Sequence, residues 1–136
     1  MYATQQDIID RYSLEELLIL ADRDDDGVAD ADVVDRALID ADAEVNAYLA
    51  AKYDLPLATT PDVITRLCVD IVMYRLADDA GTATDERRLR YDDAVTLLSR
   101  IAKGIVSLGL PKPPASSNGG VTVTSNDRRF KRGTLL

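Results

Sequence analysis

The 136-residue sequence contains no histidine and no tryptophan, and it has one cysteine, one phenylalanine and seven glycines. Without histidine there is no Ser-His-Asp or Cys-His catalysis, no histidine-ligated zinc and no imidazole base that titrates near neutral pH. The cysteine, Cys68, lies in the apolar run Leu67-Cys68-Val69, which favours a buried structural thiol over a nucleophile or half of a disulfide. The scarcity of glycine and aromatic residues, beside abundant Ala, Leu and Asp, favours helices over a β-sandwich.

The sequence also has no apolar run long enough to cross a bilayer, and its first five residues lack the basic and apolar regions of a signal peptide. No glycine-rich phosphate loop is present, because Gly119-Gly120 is an isolated pair. Each pair of aspartates is explained by a solvated helix face. These absences predict a non-enzymatic protein of cytoplasmic origin with no membrane partner.

Charge is divided unevenly along the chain. Residues 1–111 carry 11 Lys and Arg against 23 Asp and Glu, a net charge of −12, whereas residues 112–136 have a net charge of +4. An acidic body repels the nucleic-acid backbone, so it is a poor candidate for a domain that grips DNA. The basic end could bind phosphate, but it could equally pair with an acidic protein surface, including that of a neighbouring copy.

Apolar periodicity and capping signals predict an all-α fold, a compact bundle of about four to five helices. Capping signals of the form Ser/Thr with an acidic residue three positions later begin at Thr4 and Ser13, and Thr84 caps the last helix. Thr60 precedes Pro61, which suits the first helical position. The predicted helices cover residues 5–12, 14–21, 31–53, 61 to about 78, and 85–103, with Gly104 following the last one.

The longest predicted helix, residues 31–53, is the central element of this bundle. Its inward positions follow the 3.6-residue period, and Lys52 is among them. In the fourth helix Asp70 falls near the apolar face, where Arg66 or Tyr74, one turn away, could satisfy it. The predicted apolar positions are Val34, Ala37, Leu38, Ala41, Val45, Tyr48, Leu49, Ile64, Leu67, Cys68, Ile71, Met73 or Leu76, Leu89, Tyr91, Ala94, Leu97, Leu98, Ile101 and Ala102.

The composition changes at Leu110, which predicts a helical domain over residues 1–110 and a Pro/Gly linker with a basic arm over residues 111–136. Residues 121–124 have strand character, and residues 129–131 could add a second short strand. Such an end is either a disordered terminus or an arm that adds a strand to a partner's sheet. For the arm, the predicted partner-binding residues are Val121, Val123, Arg128, Arg129, Phe130, Lys131 and Arg132.

Aspartates between the second and third predicted helices are spaced D-x-D-x-D-G-x-x-D, which fits the first nine positions of a calcium loop. Position 12, which should supply a bidentate carboxylate, is Val33, so any Ca²⁺ site is open and weak. The alternative is a helix-to-helix turn, in which Gly27 supplies a positive φ and Asp30 or Asp32 caps the next helix. The candidate metal ligands are Asp22, Asp24, Asp26 and Asp30.

Six stretches of the sequence together carry a family resemblance: YATQQDII at residues 2–9, DRDDDGVAD at 22–30, YLAAKYDLPL at 48–57, CVDIVMYRL at 68–76, IAKGIVSLGL at 101–110 and the tail from 119 to 130. Through these stretches nearly the whole chain, taken in order, resembles a protein family encoded in Mu-like phages and prophages. By its helical core that family is similar to the head–tail connector (adaptor) proteins of long-tailed phages, which form a ring of about twelve copies under the portal.

This resemblance implies a structural, non-catalytic protein that is made in the host cytoplasm and placed at the head–tail interface of the virion. Its implied partners are the portal protein and a tail-completion or stopper protein. DNA would pass through the ring without being bound specifically. The basic arm would dock onto the portal or a neighbouring subunit, and the subunit would be a monomer before assembly. No catalytic residue or cofactor is implied.

Two other functions remain open from the sequence. A small calcium-responsive binding module could use residues 22–30, although the missing carboxylate and the lack of a second similar loop count against it. A carboxylate–metal enzyme would need a second acidic cluster that converges on the first, and the sequence offers none.

Overall fold

The computed structural model describes residues 1–110, which fold into five α-helices. They are α1 (Gln5–Arg11), α2 (Leu14–Ala21), α3 (Ala31–Leu49), α4 (Asp62–Asp79) and α5 (Asp85–Ala102). The predicted all-α bundle is confirmed, and this part of the chain contains no strand. The predicted linker and arm lie outside the described residues, and so do Val121, Val123, Arg128, Arg129, Phe130, Lys131 and Arg132.

Three helices begin at the caps that the sequence predicts. The Thr4 hydroxyl accepts the N–H of Asp7, whose carboxylate accepts the Thr4 N–H at 2.8 Å, so a capping box opens α1. The Ser13 hydroxyl accepts the Glu16 N–H at 3.1 Å, and the Thr84 hydroxyl caps α5 in the same way. The second predicted box is only half formed, because the Glu16 carboxylate is directed to Arg87, 3.7 Å away.

The start of α4 differs from the prediction. Pro61 is the N-cap residue, with φ −62° and ψ 146°, and the first helical residue is Asp62. The proline ring fixes φ but leaves ψ free to be extended, so Pro61 precedes the helix instead of opening it. Thr60 is therefore not the cap, and α4 begins without a side-chain cap hydrogen bond.

Helix α4 lies at the centre of the fold, because all four other helices contact it. Both alternatives at the predicted position, Met73 and Leu76, are buried, and Val69, Val72 and Ala77 are buried in addition. Apolar side chains around most of its circumference explain why α4 cannot show the one-sided pattern of a surface helix. The three long helices are of similar length, with 19 residues in α3 and 18 each in α4 and α5.

The third helix is shorter than predicted. It ends at Leu49, and Lys52, which the periodicity places inward, is exposed. The chain leaves the helix through turns that keep the Tyr53 ring buried, and the Tyr53 hydroxyl accepts the N–H of Leu108 at 3.0 Å. The Tyr53 ring thus occupies the core position where another turn of α3 would have placed the charged Lys52 side chain.

Every fully buried side chain in residues 1–110 is apolar, and the buried set draws on all five helices. Leu89, predicted to point inward, is instead 61% exposed on α5, so this helix buries only Ala94, Leu98 and Ile101. Residues 105–108, after the last helix, form neither a helix nor a strand. None of the helices in this range has the length and apolar character needed to span a membrane.

Candidate functional site

The acidic loop, residues 22–30, connects α2 to α3 and is held by its own backbone and aspartates. The N–H of Asp30 donates to the Ala21 carbonyl at 2.8 Å, which brings the two ends of the loop together. The Asp30 carboxylate accepts the N–H of Arg23 at 3.0 Å. Asp30 stands at the N-cap position of α3 but makes no side-chain cap bond to it. The predicted capping role of Asp30 is thus replaced by a bond within the loop.

Asp22 is the centre of the hydrogen bonds inside the loop. Its carboxylate accepts the N–H of Gly27 at 2.8 Å and the N–H of Asp26 at 3.1 Å, and the Asp26 carboxylate accepts the N–H of Val28 at 2.9 Å. Gly27 has φ +82° and Asp25 has φ +59°, so the chain turns sharply at two places. The predicted positive φ at Gly27 is confirmed.

The loop brings the predicted metal ligands together. One carboxylate oxygen from each of Asp22, Asp24, Asp26 and Asp30 lies within 4.8 Å of the others. Partial desolvation opposes ionisation of Asp22, but hydrogen bonds from the N–H groups of Gly27 and Asp26 outweigh it and lower the pKa of this carboxyl group. Desolvation and the hydrogen bond shared with Asp22 raise the pKa of Asp24. Four oxygens in such an arrangement are the ligand type that Ca²⁺ prefers.

The loop has no ligand at position 12, the position that supplies the bidentate carboxylate in a calcium loop. Val33 is half-buried and packs against the core, so it cannot be exchanged for a ligand by a small loop movement. Asp32 and Asp35, its acidic neighbours, are exposed. Without a bidentate carboxylate, the four oxygens can hold a cation only weakly.

A second polar feature, the arginine cleft, lies between α1, α4 and α5 and has a volume of about 480 Å³. It is lined by Arg11, Tyr12, Arg66, Leu67, Asp70, Arg90, Asp93, Ala94 and Leu97. The cleft is not predictable from the sequence, because its arginines come from three helices that are far apart in the chain. No spacing of residues within a single segment indicates such a cleft.

Asp70 forms its hydrogen bond inside the arginine cleft with a residue that is 58 positions away in the sequence. The Tyr12 hydroxyl donates to its carboxylate at 2.7 Å, so the expected bonds to Arg66 or Tyr74 are replaced by one from the residue that caps the C-terminus of α1. Desolvation and this hydrogen bond raise the pKa of Tyr12. The Arg90 guanidinium lies 5.4 Å from the centre of the Tyr12 ring, and it also pairs with Glu86 at 2.8 Å. The contact is structural, as predicted, but it joins two helices.

A separate polar cluster ties α3 to α4 and α5. The Glu44 carboxylate accepts one hydrogen bond from the Arg75 guanidinium at 2.6 Å and another from the Tyr91 hydroxyl at 2.7 Å. The Tyr91 ring stacks on Tyr74, with centroids 4.5 Å apart. Burial and the bond to Glu44 raise the pKa of Tyr91 to about 12. Its contacts join three helices, although the buried Nε of Arg75 has no hydrogen-bond partner among residues 1–110.

Cys68 is buried, which confirms the predicted structural thiol. Burial, together with the nearby Asp42 carboxylate, raises the pKa of the thiol to about 12. The thiolate is therefore scarcely populated at neutral pH, and Cys68 lacks the lowered pKa that a nucleophilic cysteine needs.

Known proteins similar to this chain come from phages and prophages. The family model described as Bacteriophage Mu, Gp36 matches residues 2–125. The Mu-like prophage FluMu protein gp36 of Haemophilus influenzae is 37% identical over 110 residues, which cover 81% of this chain and 77% of that protein. Gene product J of Escherichia phage Mu is 33% identical over 135 residues, or 96% of this chain and 94% of that protein. The chain therefore belongs to the bacteriophage Mu Gp36 family of phage proteins.

Proposed function

We propose that this phage protein is a head–tail connector subunit, a non-catalytic adaptor that forms a ring between the portal and the tail or stopper protein. The observation that carries the proposal is the match of residues 2–125, almost the whole chain, to the bacteriophage Mu Gp36 family. The compact helical body of residues 1–110 is consistent with the resemblance to helical adaptor proteins.

The charge of the body supports the same role. Residues 1–111 have a net charge of −12, and all the acidic residues among the described residues are exposed or half-buried. A ring of such subunits repels the phosphate backbone, so DNA can slide through its channel without tight contacts. The inner surface of the ring would then bind DNA neither specifically nor strongly.

The basic arm is the proposed docking element. Its net charge of +4 is opposite to that of the body, and residues 121–124 have the alternating β-branched character of a strand that could add to a partner's sheet. In this proposal Val121 and Val123 pair with the portal or a neighbouring subunit, and Phe130 is the apolar anchor. The basic residues that meet acidic groups of the partner are Arg128, Arg129, Lys131 and Arg132.

Truncation after Leu110 tests this function. The truncated protein should keep the circular dichroism and melting temperature of the full chain, because the apolar core that the structure describes lies within residues 1–110. Phage particles made with the truncated protein should accumulate as separate heads and tails. A full-length Phe130→Ala variant is the matched control and should weaken joining without abolishing it.

Two results would contradict the proposal. Normal infectious particles from the truncated protein would remove the arm from docking. If the full-length protein is missing from purified virions, and heads and tails join normally without it, the connector role itself is contradicted.

A calcium-responsive module is the second candidate, favoured by the four carboxylates that meet within 4.8 Å. The open site predicts a dissociation constant of roughly 10⁻⁴–10⁻³ M, which is too weak for a cytoplasmic sensor. Calorimetric titration of the full chain with Ca²⁺ decides between the candidates. A sub-micromolar affinity that is lost in Asp24→Ala or Asp26→Ala would favour the calcium module over the connector as the use of this loop.

A further inference from the structure

The arginine cleft concentrates positive charge in a body that is otherwise acidic. Arg11, Arg66 and Arg90 stand around it, while Leu67, Ala94 and Leu97 provide apolar lining. Within residues 1–110, Arg11 and Arg66 form no salt bridge, and Arg90 pairs only with Glu86 on the surface. The two unpaired guanidinium groups therefore have donors available for a carboxylate, with geometry suited to two parallel hydrogen bonds.

The two carboxylates of the cleft do not cancel this property. Asp70 already accepts the Tyr12 hydroxyl, and Asp93 gives the cleft a second negative charge against its three arginines. The cleft keeps a net charge of +1 in a segment whose overall charge is −12. It is thus suited to a ligand that presents carboxylates beside an apolar group.

The acidic loop, residues 22–30, presents that combination. Asp24, Asp25 and Asp26 are exposed, and Val28 next to them is 63% exposed. An exposed valine between carboxylates is the chemical complement of an apolar lining with arginines at its edge. None of the residues that line the cleft belongs to the loop, so one subunit can offer both surfaces at once.

We propose that the arginine cleft of one copy of the chain receives the acidic loop of a second copy. Arg11 and Arg66 bind the carboxylates of the incoming Asp24 and Asp25, and the incoming Val28 covers the apolar lining around Leu97. Because the two surfaces are different, the contact is head-to-tail, and repeated head-to-tail contacts form a ring when the rotation between neighbouring copies closes. The inference rests on the proposed connector function, for which it identifies the contact between neighbouring subunits.

Other occupants fit less well. The arm has a net charge of +4 and would be repelled by the arginines of the cleft. Attraction between exposed charges is screened by salt, so the loop–cleft contact is weak between free subunits and becomes effective when a particle brings many copies side by side. A subunit that is a monomer before assembly is consistent with such a contact.

The test uses two full-length variants, each unable to associate with itself. The loop variant, Asp24→Asn/Asp25→Asn/Val28→Ser, keeps an intact cleft. It retains the carboxylates of Asp22, Asp26 and Asp30 that accept loop N–H groups, and asparagine at position 24 keeps the oxygen that accepts the Asp26 N–H at 3.4 Å. The cleft variant, Arg11→Glu/Arg66→Glu, keeps an intact loop. Circular dichroism of each should match the parent chain, because all the substituted positions are exposed.

The ¹⁵N-labelled loop variant is mixed with the unlabelled cleft variant at about 1 mM each, in low salt, where contacts with dissociation constants up to the millimolar range are visible by NMR. Amide shifts should move at Arg11, Tyr12, Arg66 and Arg90, and return on addition of salt. The control partner carries the cleft and the loop substitutions together and should move none of these signals.

Equal shifts with both partners would mean that another surface enters the cleft, and no shifts at these concentrations would mean that the contact does not exist; either result overturns the proposal. These failures leave the connector function standing, because that function is judged by the joining of heads to tails. Conversely, the protein could be absent from the virion and still show the loop–cleft shifts. The contact would then stand, and the connector function would be contradicted.

Discussion

Helix α4 and the acidic loop differ in what holds them. Nine of the 18 residues of α4 are buried apolar side chains in contact with the other helices. The acidic loop buries only Ala29, and its shape depends on aspartate carboxylates that accept N–H groups of the same loop. Burial of apolar side chains in α4 therefore contributes to the free energy of folding, whereas exposed carboxylates of the loop can be substituted with little effect on the core.

This difference separates the two kinds of experiment on the protein. Substitutions in α4 should affect stability first and association only as a consequence. Substitutions at exposed loop positions should affect association or cation binding while the fold persists. Single substitutions in the core, in the polar contacts and in the loop should therefore differ in how much they lower the free energy of unfolding.

Leu76→Ala should produce the largest loss. Leu76 is completely buried on α4, and truncating a buried leucine removes apolar contacts and leaves a cavity, which costs about 2–5 kcal/mol. Chemical denaturation should show the loss as a lower midpoint. The matched control is Leu89→Ala, the same substitution at a side chain that is 61% exposed, where the change should stay within about 0.5 kcal/mol. Equal losses at both positions would contradict the assigned packing.

The sequence predicted this core well because burial in helices follows a local rule. Ile64, Leu67, Cys68 and Ile71 recur at helical spacing, and all four are buried. The errors arose where a tertiary contact overruled the period. Lys52 was displaced because α3 ends early and Tyr53 fills the site, and Leu89 stays exposed although its position suggests burial.

Glu44→Ala should cost less than the core truncation. It removes the acceptor for both Arg75 and Tyr91 and leaves those donors to water. The Arg75 side chain is 37% exposed and can be rehydrated, so we expect a loss of about 1–2 kcal/mol, less than for a fully buried ion pair. Thermal melting of Glu44→Gln, which keeps one acceptor oxygen, should fall between the parent and Glu44→Ala.

The polar contacts show what sequence alone could not supply. The acidic loop was predicted because its aspartates lie within nine residues of the chain, where their spacing is visible. Tyr12 and Asp70 are 58 residues apart, and Tyr91 and Glu44 are 47 apart, so only the folded bundle makes them partners. The arginine cleft escaped prediction for the same reason.

Alkaline titration should expose the Tyr91 contact as a smaller effect. Burial and Glu44 raise the pKa of Tyr91 to about 12 from an ordinary value of 10.0. Because the unfolded chain loses this proton first, the contribution is complete below pH 10 and is lost progressively as the pH rises from about 10 to about 12. Melting temperatures of Tyr91→Phe should be lower near neutral pH but should fall less steeply across this interval. Parallel curves for the two proteins would contradict the assignment.

The smallest effect concerns one substitution made at two glycines with positive φ. Gly104, at φ +76°, follows the end of α5, with its N–H donating to the Ile101 carbonyl and the N–H of Ile105 donating to the Arg100 carbonyl. A methyl group there would lie 3.3 Å from the flexible Lys52 side chain, so the main penalty of Gly104→Ala is the backbone conformation, about 1 kcal/mol.

Gly27, at φ +82°, has no atom beyond its two neighbouring residues within 4 Å of the position a methyl group would occupy, and Ala29 is the one residue of its loop that is buried in the core. The loop can relax around the new residue, so Gly27→Ala should cost less than Gly104→Ala, only a few tenths of a kcal/mol. Denaturant midpoints of the two variants, measured together, give the comparison directly. If Gly27→Ala proves the more damaging, the loop is coupled to the core, and its aspartates are then part of the folding unit instead of a surface that can be altered freely.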